Sequence, residues 1–381
     1  MGELDETKTG GRAATTANID GDHALAVGAG SRIPPNGWQW HPLTSLAKLE
    51  TGHTPSRKHP EYWDGVIPWI GIRDATGNHG RTIHDTEQHV TQAGIDNSSA
   101  RVLPQNTVCL SRTASVGYVV VMGRPMATSQ DFVNWVCDPE ALDYRYLKYV
   151  LLAEKGAYDR FSHGTTHQTI YFPEVKAFQV CAPDLDGQTD IADVLSALDD
   201  KIEQNRRTAR ALERLARAIF KAWFVDFEPV NAKAEGAASF PSMPQEVFDA
   251  LPTAFEESEI GPVPEGWEVK AIAKTATFLN GLALQKYPPR GDGHDLRVIK
   301  IAQLRKGSAE GADWANGDVP EQYVIRDRDL LFSWSGTLEA EFWFGGPGAL
   351  NQHLFKVTSE RFPSWFCMLW IRQHLPWFRS I

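Results

Sequence analysis

Cysteine is scarce in this chain: four residues (Cys109, Cys137, Cys181 and Cys367) among 381, none in a C-x-x-C pair. That spacing offers no structural zinc site, and so few cysteines point to a reducing cytoplasm and not to a disulfide scaffold. Long apolar runs are missing as well, and the N-terminus has no basic stretch followed by an apolar core, so neither a membrane span nor a signal peptide is expected. Positive charge is not in excess: 38 Lys and Arg stand against 48 Asp and Glu, a net charge of −10. That balance argues against a protein that coats nucleic acid indiscriminately, while leaving room for local basic patches. No G-x-x-x-x-G-K-[ST] phosphate loop is present, nor the Asn/Asp-Pro-Pro-Tyr/Phe tetrapeptide of amino-methyltransferases.

What is present occurs twice. Pro35-Asn36-Gly37-Trp38 returns as Pro264-Glu265-Gly266-Trp267, and Thr51-Gly52 as Asn280-Gly281, both 229 positions on (Trp38 to Trp267). Leu110-Ser111 and Ser129-Gln130 return as Phe332-Ser333 and Asn351-Gln352, both 222 positions on (Ser111 to Ser333). Two ordinary-sized modules in tandem follow.

Residues 1–33 are rich in Gly, Ala, Thr and Asp, have no period, and are expected to form a flexible extension. Residues 34–187 form the first α+β module. Its strands are expected near Ile67–Ile72, Thr107–Leu110 and Gly117–Val121, with a helix around Leu142–Ala157. Residues 188–228 then read as one long helix. Ile191, Leu195, Leu198, Ile202, Asn205, Ala209, Leu212, Ala216, Ile219 and Trp223 step by four and three, a heptad seam that requires a second helix, with Asn205 setting its register. Residues 229–262, with their prolines and glycines, are expected to be a linker holding one short helix near Gln245–Leu251. Residues 263–381 are the second module.

Few residues point to catalysis. Glu174-Val175-Lys176 and Glu268-Val269-Lys270 match the Glu-x-Lys of Mg²⁺-dependent nucleases, but their places in the two modules do not correspond. His163 and His167 flank Gly164-Thr165-Thr166, a loop suited to reading base edges or holding a phosphate and not to a helical metal site. Basic residues at strand ends and in loops (Arg57, Lys58, Arg73, Arg81 and Arg112, then Lys286, Arg305 and Lys306) are candidates for DNA contact.

Four stretches carry a resemblance. They are the module opening with Gly52-His53-Thr54-Pro55 and Ile67-Pro68-Trp69-Ile70; Gly164-Thr165-Thr166-His167-Gln168; Ile191-Ala192-Asp193-Val194-Leu195 running on to Ile202; and Trp223-Phe224-Val225-Asp226-Phe227-Glu228-Pro229. Ala349-Leu350-Asn351-Gln352-His353-Leu354-Phe355 adds to them. The chain resembles the DNA-specificity (S) subunit of Type I restriction–modification systems over 34–228 and 263–381.

The resemblance implies an α+β fold of two similar target-recognition domains, the first followed by a long coiled-coil-type helix. Each domain would read half of a split DNA site, with the helix as spacer. It implies a non-catalytic subunit whose methyltransferase (M) partners bring S-adenosylmethionine and whose restriction (R) partner brings ATP hydrolysis and Mg²⁺-dependent cleavage. Candidate readers are Arg57, Lys58, Arg73, Arg112, His163, Thr165, Thr166, His167 and Gln168, then Gln303, Arg305, Asn351, Gln352 and His353. Family members carry two long helices and this sequence one. The expectation is therefore either two chains pairing their single helices as a homodimer or a form truncated in its second domain. A nuclease using a Glu-x-Lys site and a coiled-coil interaction protein without a DNA role are the alternatives.

Overall fold

The computed structural model describes residues 18–162 and 168–380, which divide into two compact units at Arg206/Arg207. In the first unit a five-stranded sheet places Ala47–Thr51, Phe132–Cys137, Val108–Ser111, Val119–Met122 and Thr82–Ile83 side by side. Strand Val108–Ser111 is buried on both faces, so Val108, Cys109 and Leu110 are apolar without alternation. A smaller sheet sets Trp63–Ile70 between Ala127–Thr128, parallel, and Gln88–Val90, antiparallel. Helix Tyr144–Ala153 buries Tyr146, Leu147, Val150 and Leu151, the face that its apolar spacing marks.

The second unit repeats this plan. Thr277–Asn280, Leu354–Thr358, Leu330–Ser333 and Ala340–Phe342 form one sheet, and Leu296–Ile299 pairs in parallel with Gly348–Leu350 and antiparallel with Trp314–Ala315 in another. The registers coincide residue for residue. Phe132 faces Ser111 as Leu354 faces Ser333, and Val133 faces Thr51 as Phe355 faces Asn280. The parallel pairs match too: Thr128 with Ile70, Leu350 with Ile299. Both repeated openings make the same turn, with Trp38 N–H donating to Pro35 O and Trp267 N–H to Pro264 O, each at 3.0 Å. Gly37 (φ 83°) and Gly266 (φ 80°) take the left-handed conformation that the turn needs.

Three expectations about boundaries are corrected. The flexible extension expected over 1–33 is overturned within the described residues (1–17 lie outside them): Ile19–Asp20 and Leu25–Val27 are strands in a sheet with Phe178–Ala182 and Gln39–Pro42, and Leu25, Ala26 and Val27 are buried. Three apolar residues show no period, but a strand from far along the chain supplies their partner. Residues 229–262 hold the short helix expected near Gln245–Leu251, but more besides. They hold helices Glu228–Ala234 and Gln245–Asp249 and a hairpin of Phe255–Ser258 with Gly261–Pro264, around buried Val230 and Phe248. The long helix runs Leu185–Phe224, three residues earlier at its start and four residues shorter at its end than the expected 188–228. Asp184 caps it, its Oδ1 accepting from Gly187 N–H at 3.0 Å, and the chain leaves it through Phe227 at φ 51°. At about 1.5 Å per residue, its 40 residues span roughly 60 Å.

The expected pairing seam of that helix is split by its surroundings. Ile191 packs on the first unit's core, and Ile219 and Trp223 are half-buried. Between them Leu198 (57% exposed), Ile202 (47%) and Leu212 (60%) face outward with Asn205, joined by Val194 and Leu215. Polar contacts hold the first half: Lys148 Nζ and Tyr149 Oη both donate to Asp199 Oδ2, at 2.9 and 2.8 Å. Aromatic packing of Phe220 and Phe224 on Phe366, at 5.4 and 5.2 Å between centroids, holds the last turns. No helix among the described residues is long and apolar enough to cross a membrane.

Candidate nucleic-acid interface

In each unit three loops meet at the same corner of one sheet, the one that holds Ala47–Thr51 in the first unit and Thr277–Asn280 in the second. In the first unit they follow Ala47–Thr51, follow Val108–Ser111 and precede Phe132–Cys137. The approach is so close that a Cβ on Gly52 would stand 2.0 Å from Ser129 O. Glycine is thus required by contact and not by backbone angle. His53 N–H donates to Thr128 O at 2.9 Å, and the Thr54 hydroxyl bonds the Gln130 side-chain carbonyl. Arg112 lies across the same turn: its N–H donates to Asp131 O at 2.8 Å, a guanidinium N–H to Gln130 O at 3.2 Å, and the group sits 4.6 Å from the Phe172 ring centre. Burial draws this guanidinium below its ordinary pKa, while Asp131 opposes the shift. Ser111 pins the loop at its root, accepting from Tyr118 N–H at 2.8 Å.

The second corner is built alike with different side chains. A Cβ on Gly281 would stand 2.2 Å from Asn351 O. Leu282 N–H donates to Leu350 O at 3.0 Å, and Ser333 Oγ accepts from Glu339 N–H at 2.8 Å. Trp334 takes the place of Arg112. Its indole N–H is shared between Asn280 Oδ1 (3.2 Å) and Gln352 O (3.3 Å), and its ring is 45% exposed beside His353. His353 Nδ1 meets the Ser335 hydroxyl at 3.0 Å. Each corner thus presents a planar or forked group beside an outward glutamine, a set suited to stacking and to paired hydrogen bonds with base edges.

The structure sorts the expected readers. Arg112, Gln352 and His353 lie at the corners, and Gln168 is exposed on the segment that joins Arg112 through Ile170 N–H. His163, Thr165, Thr166 and His167 fall outside the described residues. Arg57 and Lys58 lie on the smaller sheet's side, where Arg57 stacks 3.5 Å from the Trp63 ring centre and donates to Gln88 Oε1 at 2.7 Å. Arg73 is exposed on helix Ile72–Gly77.

Three expected readers make other contacts in the structure. Asn351 is 5% exposed, and its Oδ1 accepts from His353 N–H, so it shapes the turn. Gln303 spends its carbonyl on Lys300 N–H at the start of its helix. Arg305 lies in a cleft with Arg217 and Arg372, its Nε 3.7 Å from Glu339 Oε1. The corners also bring in Thr54, Gln130 and Trp334, and the 222 offset sets Gln130 against Gln352 and Arg112 against Trp334.

The two Glu-x-Lys tripeptides differ in setting, as their positions imply: Glu174 is buried in a helix, whereas Glu268 pairs with Lys270 on the surface. Among the described residues no three His, Cys, Asp or Glu side chains gather as a metal site.

Residues 35–214 match the family described as the Type I restriction modification DNA specificity domain. The chain is 27% identical over 307 residues to the Type I restriction enzyme MjaIX specificity subunit of Methanocaldococcus jannaschii, covering 79% of this chain and 67% of that protein. It is 29% identical over 180 residues to the HindI specificity subunit of Haemophilus influenzae, covering 38% of this chain and 39% of that one. Among solved structures, the Type I S subunit from M. genitalium aligns with a TM-score of 0.46 at 14% identity, over 92% of this chain and 80% of that chain.

Proposed function

We propose, from the match of residues 35–214 to the Type I restriction modification DNA specificity domain and the likeness to Type I specificity subunits, that this chain is such a subunit, recognising DNA by sequence and acting without chemistry of its own. Each unit reads one half of a two-part site through its corner. The observation that supports this reading most strongly is the duplication of the corner itself: one backbone arrangement, with one set of reading side chains (Arg112, Gln130) in the first unit and another (Trp334, Gln352, His353) in the second. A duplicated scaffold with unlike tips is what a reader of two different half-sites requires. Phosphate contacts supply affinity and the tips supply selectivity. S-adenosylmethionine, ATP and Mg²⁺ are bound by methyltransferase and restriction partners.

Selection of duplexes from a randomised pool tests this. Gln130→Ala relaxes base preference in one half-site only and Gln352→Ala in the other only, each by about 1–3 kcal/mol of discrimination. Relaxation of the same half by both variants, or of neither, refutes the assignment.

The outward seam of the long helix, Leu198, Ile202 and Leu212, is the surface that takes a helical partner, whether a methyltransferase subunit or the same helix of a second chain. Replacing Ile202 and Leu212 together by glutamate is expected to abolish that association while both units stay folded. Sedimentation with and without the methyltransferase measures it, and unchanged masses defeat the assignment.

A further inference from the structure

The long helix is charged in two opposite halves. Residues 185–204 carry Asp186, Asp190, Asp193, Asp199, Asp200 and Glu203 against Lys201 alone, a net −5 (1 − 6). Residues 205–224 carry Arg206, Arg207, Arg210, Arg214, Arg217 and Lys221 against Glu213 alone, a net +5 (6 − 1). From Arg207 the cations recur every three or four residues, so they stand on one face, the one turned away from the Leu198–Leu212 seam.

In the second unit this face borders two hollows that share Arg217. The smaller, about 390 Å³, is lined by Arg207, Arg210, Glu213, Arg214 and Arg217. The larger, about 610 Å³, adds Arg305, Lys306, Arg372 and Arg379 with Glu339 and Glu341. Across both, eight cationic side chains oppose three carboxylates. This local excess stands in a chain whose net charge is −10. The floor is fixed: the Arg372 side chain is 9% exposed, donates to Ala340 O at 2.8 Å, and pairs with Glu213 and Glu341. The rim is open, with the Arg305 and Lys306 side chains 59% and 52% exposed.

We propose that this groove holds the sugar–phosphate backbone of duplex DNA, a sequence-independent contact made in addition to the base-reading corners. The proposal rests on the DNA-recognition reading above. Two features favour phosphate over an acidic protein surface. The smaller hollow has no apolar side chain in its lining, whereas protein interfaces are built around an apolar centre. Arg207 to Arg217 covers about 15 Å of helix axis, a length over which duplex DNA offers on the order of nine phosphates. Guanidinium forks match those oxygens in pairs.

The test compares the full wild-type chain with the triple variant Arg210→Gln/Arg214→Gln/Lys306→Gln. Binding is measured for the tightest duplex selected from a randomised pool and for a random-sequence duplex, from about 50 to about 200 mM salt. The variant is expected to weaken on both duplexes by the same factor, with the salt slope lowered by about 2–3, close to 0.9 per lost contact. The ratio between the duplexes stays fixed. A companion variant with Arg210→Lys and Arg214→Lys keeps the wild-type slope, which separates charge from folding. An unchanged slope in the glutamine variant overturns the groove, as does loss of methyltransferase binding with the slope intact, which assigns the surface to protein. If the wild type discriminates between the duplexes while the slopes agree, only the groove fails. If the wild type binds neither duplex, the DNA reading fails with it.

Discussion

Replacing Glu154 by alanine is expected to destabilise the first unit by about 3–5 kcal/mol, the largest effect of any single side-chain truncation proposed here. The carboxylate is fully buried at the end of helix Tyr144–Ala153 and accepts from four successive backbone N–H groups. His23, Ala24 and Leu25 donate to its Oε1 at 2.8, 2.7 and 3.1 Å, and Asp22 donates to Oε2. The turn between strands Ile19–Asp20 and Leu25–Val27 therefore closes around an anion supplied by a residue some 130 positions later. Alanine leaves these donors without a partner inside protein, where each unmet group costs about 1–3 kcal/mol. Not all of them remain dry after the turn relaxes, so the sum is smaller than four full penalties. Thermal unfolding followed by circular dichroism should show the first unit's transition lowered by about 10 °C. Glutamine, which keeps one acceptor oxygen, should fall between. A wild-type transition in the alanine variant would falsify the anchoring role.

The second large effect comes from the two corner glycines, and here the expected result is selective. Gly52→Ala drives a Cβ to 2.0 Å from Ser129 O, and Gly281→Ala drives one to 2.2 Å from Asn351 O. Both obstacles are backbone atoms, so no side-chain rotation relieves them. The loops must separate, at a cost of about 3 kcal/mol in each unit. In Gly52→Ala the Thr54–Gln130 bond and the seat of Arg112 are lost. In Gly281→Ala the shared hydrogen bonds of Trp334 are lost instead. Each variant is expected to lose base preference in its own half-site and keep it in the other. A selection experiment that finds both halves degraded by either substitution would show that the corners are not independent readers.

How much of this was legible beforehand differs by element. The repeat was open to view, because the turn Pro-x-Gly-Trp needs glycine at positive φ and leaves the same three letters at the same spacing in both units. The long helix was legible for a similar reason: a local period of three and four survives without any knowledge of neighbours. Strand Leu25–Val27 was not, because its partner Phe178–Ala182 lies 150 residues downstream and nothing local announces the pairing. The settings of Arg305 and Gln303 were not legible, because loop chemistry looks alike whether it caps a helix, lines a cleft or faces a ligand. The place of Gln130 at a corner was legible only through its counterpart Gln352. The offset that linked them was read as evidence of duplication, not as a map of the site.

The chain's own letters decided that there are two units of one design joined through a charged amphipathic helix. These properties are periodic or repeated, and short-range sterics write them into the order of residues. Tertiary structure alone decided which face of that helix is left outward, which arginines gather into a groove, and which three loops close at each corner. Those outcomes depend on residues 76 or 159 positions apart meeting within hydrogen-bond reach, and the pairing that brings them together is set by the packing of whole sheets and not by any local stretch.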